Sequence, residues 1–307
     1  MTNPECPICD NVPLAKESAI IYPSGLKRNQ YLKKILFCPQ CTLGVGYPLP
    51  TADFVEKIYS RTEYWGKSIQ GINFRKQAVM YALAKARWSL IDTYLKQKAN
   101  LKIIDVGSGY GYLGLVSNEF TNIMLEKYIS VESDKRLHEE LNKAWLQSNP
   151  NTKISFYTSL ERVYDKGNIL ALSHILEHVL DPLDFMKKAS MLLSTSGLVF
   201  IDVPNCDYEF KSEVFPHLLF FSEESLRKLL EKAGLKVLHI STWGTSKSFS
   251  PMNENAPRLI HFACYMLNRF SIMMPKKIAI KLYAKLFGTN RQNKVGVWLR
   301  AIALKTN

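Results

Sequence analysis

The chain has 307 residues, 47% hydrophobic and 22% charged, with only 15 glycines and 14 prolines, which excludes collagen-like, mucin-like and wholly disordered classes. That length holds two ordinary domains or one enlarged α/β domain, with a core that needs no staples. The formal charge of +13 is uneven: residues 255–307 carry ten basic residues and no acid, leaving 13 − 10 = +3 for everything before them, so basicity alone does not imply nucleic-acid binding.

Met1 to Asp10 lacks the basic stretch and apolar run of a signal peptide, and no window reaches ~18 uninterrupted apolar residues, since Leu259 to Met274 is broken by His261, Asn268 and Arg269. A cytoplasmic protein is expected. Of the six cysteines, Cys206 and Cys264 stand alone, and the rest form two knuckles, Cys6-Pro7-Ile8-Cys9 and Cys38-Pro39-Gln40-Cys41, separated by 28 residues. Four thiolates so spaced can surround Zn²⁺ tetrahedrally, and a sphere closed by cysteine leaves no position for water or substrate, so the predicted role is structural. A thioredoxin-like redox motif would account for one knuckle but does not call for two. The stretch between them, Ala19 to Phe37, reads as a hairpin too small to stand alone, which makes its folding depend on metal.

Thr51 to Tyr59 reads as a short helix with Thr51 as N-cap. A longer helix is predicted over Phe74 to Lys98, where Val79, Leu83, Ala86, Leu90 and Tyr94 recur at three to four residues. Between them, Tyr59, Tyr64 and Trp65 form an aromatic cluster that either lids a cofactor or packs between domains.

Leu101 to Val106 is a buried, β-branched strand, followed by three alternating glycines, Gly107, Gly109 and Gly111, and then a predicted helix over Tyr110 to Phe120. Glycines let the backbone approach a ligand at positive φ, and a helix N-terminus offers free N–H groups. The next strand, Lys127 to Val131, ends in Glu132, placed to accept ribose hydroxyls. Two cofactors fit. Gly109-x-Gly111-x-x-Gly114 satisfies the dinucleotide fingerprint, with Glu132 18 residues beyond Gly114. Asp105 argues against it, because a carboxylate before the first glycine welcomes a cationic group and not a pyrophosphate. S-adenosylmethionine (SAM) carries an ammonium and a sulfonium.

Ile104-Asp105-Val106-Gly107-Ser108-Gly109-Tyr110-Gly111 resembles the first motif of class I SAM-dependent methyltransferases, and later segments keep register. His174-Ile175-Leu176-Glu177-His178-Val179-Leu180-Asp181-Pro182 is similar to the L-E-H-x-x-D-P segment of the methyltransferase-23/type 12 group. Gly197 to Asn205 resembles the fifth strand of that group, and His217 to Phe221, a helix from Ser222 to Ala233 and Gly234 to Val237 resemble its H-x-x-x-F-S and L-L-x-x-A-G stretch. The likeness covers residues 101 to 243. It implies an α/β fold with a Rossmann-like seven-stranded sheet and helices on both faces. By the same resemblance Gly107, Ser108, Gly109, Tyr110 and Gly111 line the methionine portion of SAM, Asp105 supports its ammonium and Glu132 holds the ribose. Ser133 neighbours the adenine, Ser159 and Leu160 after the third strand (Lys153 to Tyr157) lie at its edge without the usual Asp, and Ser173 and His174 touch the cofactor through backbone.

A hydroxyl acceptor needs a base. His174, Glu177 and His178 fall at i, i+3 and i+4, which predicts one shared helical face beyond a strand end, with His178 as base and Glu177 as its orienting partner. Two other readings of these residues stand: Glu177 and His178 cap or tether the helix Pro182 to Leu193, or His174, Glu177 and His178 bind a divalent metal, as in some relatives with E-x-x-E-H here. His217 is a second base candidate.

The last strand, Lys294 to Lys305, places Val295, Val297, Leu299, Ala301 and Ala303 on one face and is expected at the sheet edge, antiparallel. Thr245 to Asn293 then forms an insertion whose helices would roof the acceptor site. In it, Lys277, Lys281 and Lys285 oppose Ile278, Leu282 and Leu286 as an amphipathic helix. This basic segment is a solvated face, a lure for a phosphorylated acceptor, or a contact with an anionic membrane; no specific nucleic acid is expected. The predicted organisation is a zinc-binding region at 1–50, a helical linker or lid at 51–100 and a methyltransferase domain at 101–307 with a cap at 245–293. A four-cysteine clip joined to this methyltransferase type resembles enzymes of deoxysugar and surface-polysaccharide biosynthesis. O-methylation of a sugar or nucleotide-sugar precursor is the expected reaction, with C-methylation of a deoxysugar, methylation of a lipid or quinone-like acceptor, and a non-catalytic SAM-binding protein as alternatives.

Overall fold

Short strands open the chain. In the computed structural model, which describes residues 4–23, 31–55, 74–120 and 122–306, β1 (Ala15–Ile21), β2 (Lys34–Phe37) and β3 (Gly44–Tyr47) form an antiparallel meander between and beyond the cysteine knuckles. Thr51 begins a helical turn at 52–55, its side-chain oxygen accepting from the Phe54 N–H at 3.3 Å as the N-cap reading requires. Tyr59, Tyr64 and Trp65 lie outside the described residues.

Helix α1 (Phe74–Tyr94) leads into β4 (Leu101–Val106), and the short α2 (Tyr112–Leu115) comes next. The chain continues through β5 (Leu125–Val131), α3 (Lys135–Ser148), β6 (Lys153–Tyr157), β7 (Gly167–Ser173), α4 (Pro182–Met191), β8 (Leu193–Pro204), β9 (Leu219–Phe220) and α5 (Glu223–Lys232). It ends with β10 (Leu235–Ser246), α6 (Arg258–Phe270), α7 (Lys276–Phe287) and β11 (Gly296–Lys305). Seven strands make the central sheet in the order β10-β11-β8-β7-β4-β5-β6, with β11 antiparallel to both neighbours and the pairs among β4 to β8 parallel. The fold class inferred from the sequence is therefore the one observed.

Alternation along the strands assigns the two faces. Ile104 and Val106 point to one side, against Met186 of α4 and Leu226, Leu229 and Leu230 of α5. Leu101 and Ile103 point to the other, against Trp88 and Ile91 of α1 and Leu141 and Trp145 of α3. No helix among the described residues is long and apolar enough to cross a membrane.

Four local expectations are corrected. The helix over Tyr110 to Phe120 shrinks to α2 and a 3₁₀ turn at Ser117–Glu119, because Gly111 is left-handed at its start and the Ser117 hydroxyl bonds back to Gly114 O at 2.7 Å. β11 is not the edge strand but lies between β8 and β10; every residue from 296 to 303 is buried, so its two faces do not alternate, and Val295 falls outside it. On α7 the buried residues are Ala279, Tyr283 and Phe287, while Ile278 and Leu282 stay exposed; Tyr283 claims the inner face by donating to Asn268 Oδ1 at 3.1 Å. The insertion does not roof the main cavity: α7 packs on α1, and no residue from 245 to 293 lines the cavity. The N-terminal sheet, read as too small to stand alone, is completed from outside residues 1–50. β3 would leave an open edge, and β9 covers it, pairing Gly44 with Phe220 and Val45 with Leu219.

Candidate functional site

At the end of β4 the chain turns on Gly107, Gly109 and Gly111, at φ 65, 53 and 65 degrees, a region costly for other residues. The Gly107 N–H donates to Val131 O at 2.8 Å, and the Ser108 and Ser130 hydroxyls meet at 2.7 Å, which ties the loop to β5. A cavity of about 770 Å³ opens beside it, lined by Asp105, Gly107, Ser108, Gly109, Tyr110, Glu132, Ser133, Ser159, Leu160, Ser173 and His174, all assigned to the cofactor from the sequence. Gly111 does not line it; an added Cβ there would sit 2.5 Å from Leu141, so this glycine serves helix packing. At Gly109 the same Cβ meets nothing within 4 Å.

Glu132, only 4% exposed, accepts from the Gly109 N–H at 3.1 Å and the Asp134 N–H at 3.1 Å. Asp105 is equally buried, and that burial lifts its carboxyl to about 6, against the hydroxyl that Tyr128 donates to it. Two buried carboxylates at the loop fit a ligand carrying cationic groups and oppose a pyrophosphate.

Arg87 lines the same cavity, a residue the helical pattern of α1 hides because it lies off the apolar stripe. Its Nε donates to Asp202 Oδ2 at 2.8 Å, and the wholly buried Arg300 of β11 donates to the same oxygen at 3.3 Å. Burial alone would raise the Asp202 carboxyl, but Arg300 and Arg87 outweigh it and hold the carboxyl below its ordinary value. Of these three groups only Arg87 reaches the cavity, where its guanidinium suits an anionic ligand group.

The histidine segment departs from the expected helical face. His174 takes a left-handed φ of 57 degrees and residues 176–178 form a 3₁₀ turn, so no α-helix aligns the three. His174 Nδ1 instead reaches Glu177 Oε1 at 3.1 Å, and His178 Nε2 lies 3.8 Å from the same oxygen. Helix α4 is capped by Asp181, which accepts from the Asp184 N–H at 2.9 Å, so Glu177 and His178 do not cap it. The group compact enough for a metal is Glu177, His178 and His217, with ligand atoms within 4.8 Å of one another; His174 is not part of it. The His178 and His217 rings meet edge to face with centroids 4.9 Å apart. Behind His217, Asp207 Oδ2 lies 3.1 Å from Nδ1 and 2.8 Å from Lys211 Nζ. Burial would raise the Asp207 carboxyl, yet His217 and Lys211 pull it far below the carboxylate range.

Burial pushes the His178 imidazole down to about 4, so it is neutral at pH 7, and the Glu177 carboxylate is the neighbour that favours its taking up a proton. Of this group only His178 lines the cavity. Burial opposes ionisation of Glu177 too, but the hydrogen bond from His174 and its histidine neighbours keep its carboxyl below the ordinary value. A neutral base with a carboxylate behind it is what deprotonation of an acceptor hydroxyl requires.

A methyltransferase-domain family profile matches residues 78–240, more than half of the sequence and the stretch that holds every described cavity-lining residue except Ala52 and Val55. The chain belongs to this methyltransferase family. No curated protein sequence matches it. Among solved structures, a chain of the complex between the Haloferax volcanii Trm112 methyltransferase activator and a methyltransferase has 9% identity and a TM-score of 0.53, covering 81% of this chain and 98% of that one. A sarcosine dimethylglycine methyltransferase from Galdieria sulphuraria shows 13% identity and a TM-score of 0.48 over 73% and 85%. A coclaurine N-methyltransferase bound to N-methylheliamine and SAH shows 18% and 0.46 over 71% and 72%. At these identities the likeness is one of fold. The protein is a methyltransferase enzyme, and SAM is the donor its fold is expected to bind.

The four knuckle cysteines lie outside the matched residues. In this methyltransferase Cys6, Cys9, Cys38 and Cys41 are all buried, with their sulfurs within 4.8 Å of one another. Cys6 and Cys41 are 3.7 Å apart, too far for a disulfide and close to the ~3.8 Å that tetrahedral Zn–S bonds of ~2.3 Å impose. The Cys41 thiol first, and then the N–H groups of Ile8 and Cys9 that point at Cys6 Sγ from 3.5 and 3.4 Å, lower the Cys6 thiol to about 5. The donor set fits a structural Zn²⁺ with no open position.

Proposed function

We propose that this methyltransferase transfers the methyl group of SAM to a hydroxyl of a sugar or nucleotide-sugar precursor, with His178 as the base. The observation that carries the reading is the position of His178 on the wall of the cavity beside the glycine loop, with Glu177 Oε1 at 3.8 Å to balance the charge it acquires. SAM supplies a methyl on a sulfonium. The chain's part is to hold the donor, align the acceptor oxygen and remove its proton. Gly109 leaves room for the donor, Glu132 turns from Gly109 to the ribose hydroxyls, and Arg87 takes the methionine carboxylate. His217, oriented by Asp207, supports His178 from behind. Zn²⁺ at the four cysteines holds the N-terminal sheet.

The sugar class rests on the resemblance of a four-cysteine clip joined to this methyltransferase type. A lipid-linked or quinone-like acceptor is the second reading, favoured by the apolar wall of Ala52, Val55, Met80 and Leu83. Calorimetric titration with SAM and with NAD tests the donor: SAM binds and NAD does not, and the reverse result removes the methyltransfer chemistry. Radiolabel transfer from SAM to nucleotide sugars, lipid-linked sugars and quinols then ranks the acceptors. Labelling confined to quinols would overturn the sugar reading.

A further inference from the structure

Helix α6 has two unlike faces. Leu267 packs with Tyr283 and Phe287 of α7, and Asn268 accepts from the Tyr283 hydroxyl, which fixes one side to the body. On the other side Leu259, Phe262, Tyr265 and Phe270, spaced three to five residues apart, are 74%, 58%, 55% and 42% exposed, and no residue of the helix is buried. Met273 in the next turn is 84% exposed, and Ile278 and Leu282 of α7 face outward beside Lys277, Lys281 and Lys285. A run of large apolar side chains left in water marks a contact surface.

Charge selects the partner. Arg258, Arg269, Lys276, Lys277, Lys281 and Lys285 are interleaved with these apolar residues and exposed, and among the described residues none of the six is ion-paired with a carboxylate. There is no acid between 255 and 307 to neutralise them. An apolar stripe alone would suit a protein groove, and cations with aromatic rings alone would suit a single-stranded nucleic acid. Leu259, Met273, Ile278 and Leu282 have no role on a phosphodiester backbone, and six unneutralised cations have none in a neutral groove. Both sets are satisfied at once by an anionic bilayer, where apolar side chains enter the acyl boundary and long basic ones reach the headgroup phosphates.

We propose that α6, the Ser271–Met273 turn and α7 dock this enzyme peripherally on an anionic lipid surface. The inference stands apart from the acceptor and donor assignments.

Flotation of the whole protein with phosphatidylcholine vesicles, and with vesicles containing ~30% phosphatidylglycerol, tests it. Binding is expected to be about tenfold or more stronger on the anionic vesicles and to fall as salt screens it. Lys277→Gln/Lys281→Gln/Lys285→Gln should weaken it by about fivefold per lysine, on the order of 100-fold together. Leu259→Ser/Phe262→Ser should weaken it about tenfold or more, with melting temperature unchanged in both variants. Equal or absent flotation on the two vesicle types overturns the proposal. So does a dimer in sedimentation velocity that Leu259→Ser/Phe262→Ser dissociates, which would make this face a self-association surface.

Discussion

The glycine loop and the His178–His217 pair are put together differently. Loop, Asp105 and Glu132 belong to one β4–α2–β5 run of 32 residues, 101 to 132, tied by main-chain bonds such as Gly107 N–H to Val131 O. Glu177 and His178 come from the loop after β7, and Asp207 and His217 from the connection between β8 and β9. The last is fixed partly by the N-terminal region: the Tyr22 hydroxyl donates to His217 O at 2.8 Å, the Gly46 N–H donates to Leu218 O at 2.8 Å, and the Thr42 and Ser222 hydroxyls meet at 2.6 Å. The loop is thus held by its own βαβ unit, while the histidine pair depends on parts of the molecule 170 residues and more apart in sequence.

The largest effects should come from the histidines. His178→Ala is expected to lower kcat by ~10²–10⁴ while the SAM Kd, read by calorimetry, stays within about twofold. His217→Ala should lower kcat less, through His178. Full turnover in His178→Ala would transfer the base role elsewhere. Next, Cys38→Ser or extraction of bound metal loosens the sheet that carries β9, and a displacement of about 1 Å at His217 costs ~10²-fold in turnover. SAM affinity should survive this treatment. Equal loss of both would mean that the loop and the histidine pair are not separable. Gly109→Ala comes third, with the opposite signature: strain of ~1–2 kcal/mol at its positive φ and about tenfold weaker SAM binding, while kcat at saturating SAM holds.

The same contrast decides what is legible in the sequence. The loop is legible because its signals are contiguous: a β-branched strand, alternating glycines and a carboxylate at the next strand tip, all within one βαβ unit. Each assigned residue there except Gly111 does line the cavity. At the histidines the spacing of His174, Glu177 and His178 suggests a helical period, but the turn is 3₁₀ and His174 is left-handed, so the period does not apply. Asp207, between Cys206 and Tyr208, has no local mark; only the tertiary fold brings it to His217. Arg87 and Arg300 are equally silent, one between stripe positions of a helix, the other in a strand whose burial on both faces depends on β10 closing the edge. Strand β9, two residues long, has no periodicity to detect.

The smallest effect sharpens the comparison at the loop itself, through Asp105. Its carboxyl is lifted from 3.8 to about 6 by burial, so between those values the folded chain holds a proton that the unfolded chain has released. Stability from this group is complete below pH 3.8 and is lost as pH rises through 6, leaving a penalty of at most about 3 kcal/mol at pH 7. Asp105→Asn keeps an oxygen for the Tyr128 hydroxyl and removes the charge. Its free protein should therefore melt higher than the parent at pH 7–8, by less at pH 5, and no higher at pH 3.5, in thermal scans across that range. SAM affinity should move the other way, weakening about tenfold at pH 8, if the buried charge is kept to meet the donor's ammonium. A variant that gains stability and binds SAM undiminished would leave Asp105 as a structural acid, and the cationic complementarity of the loop would then rest on Glu132 alone.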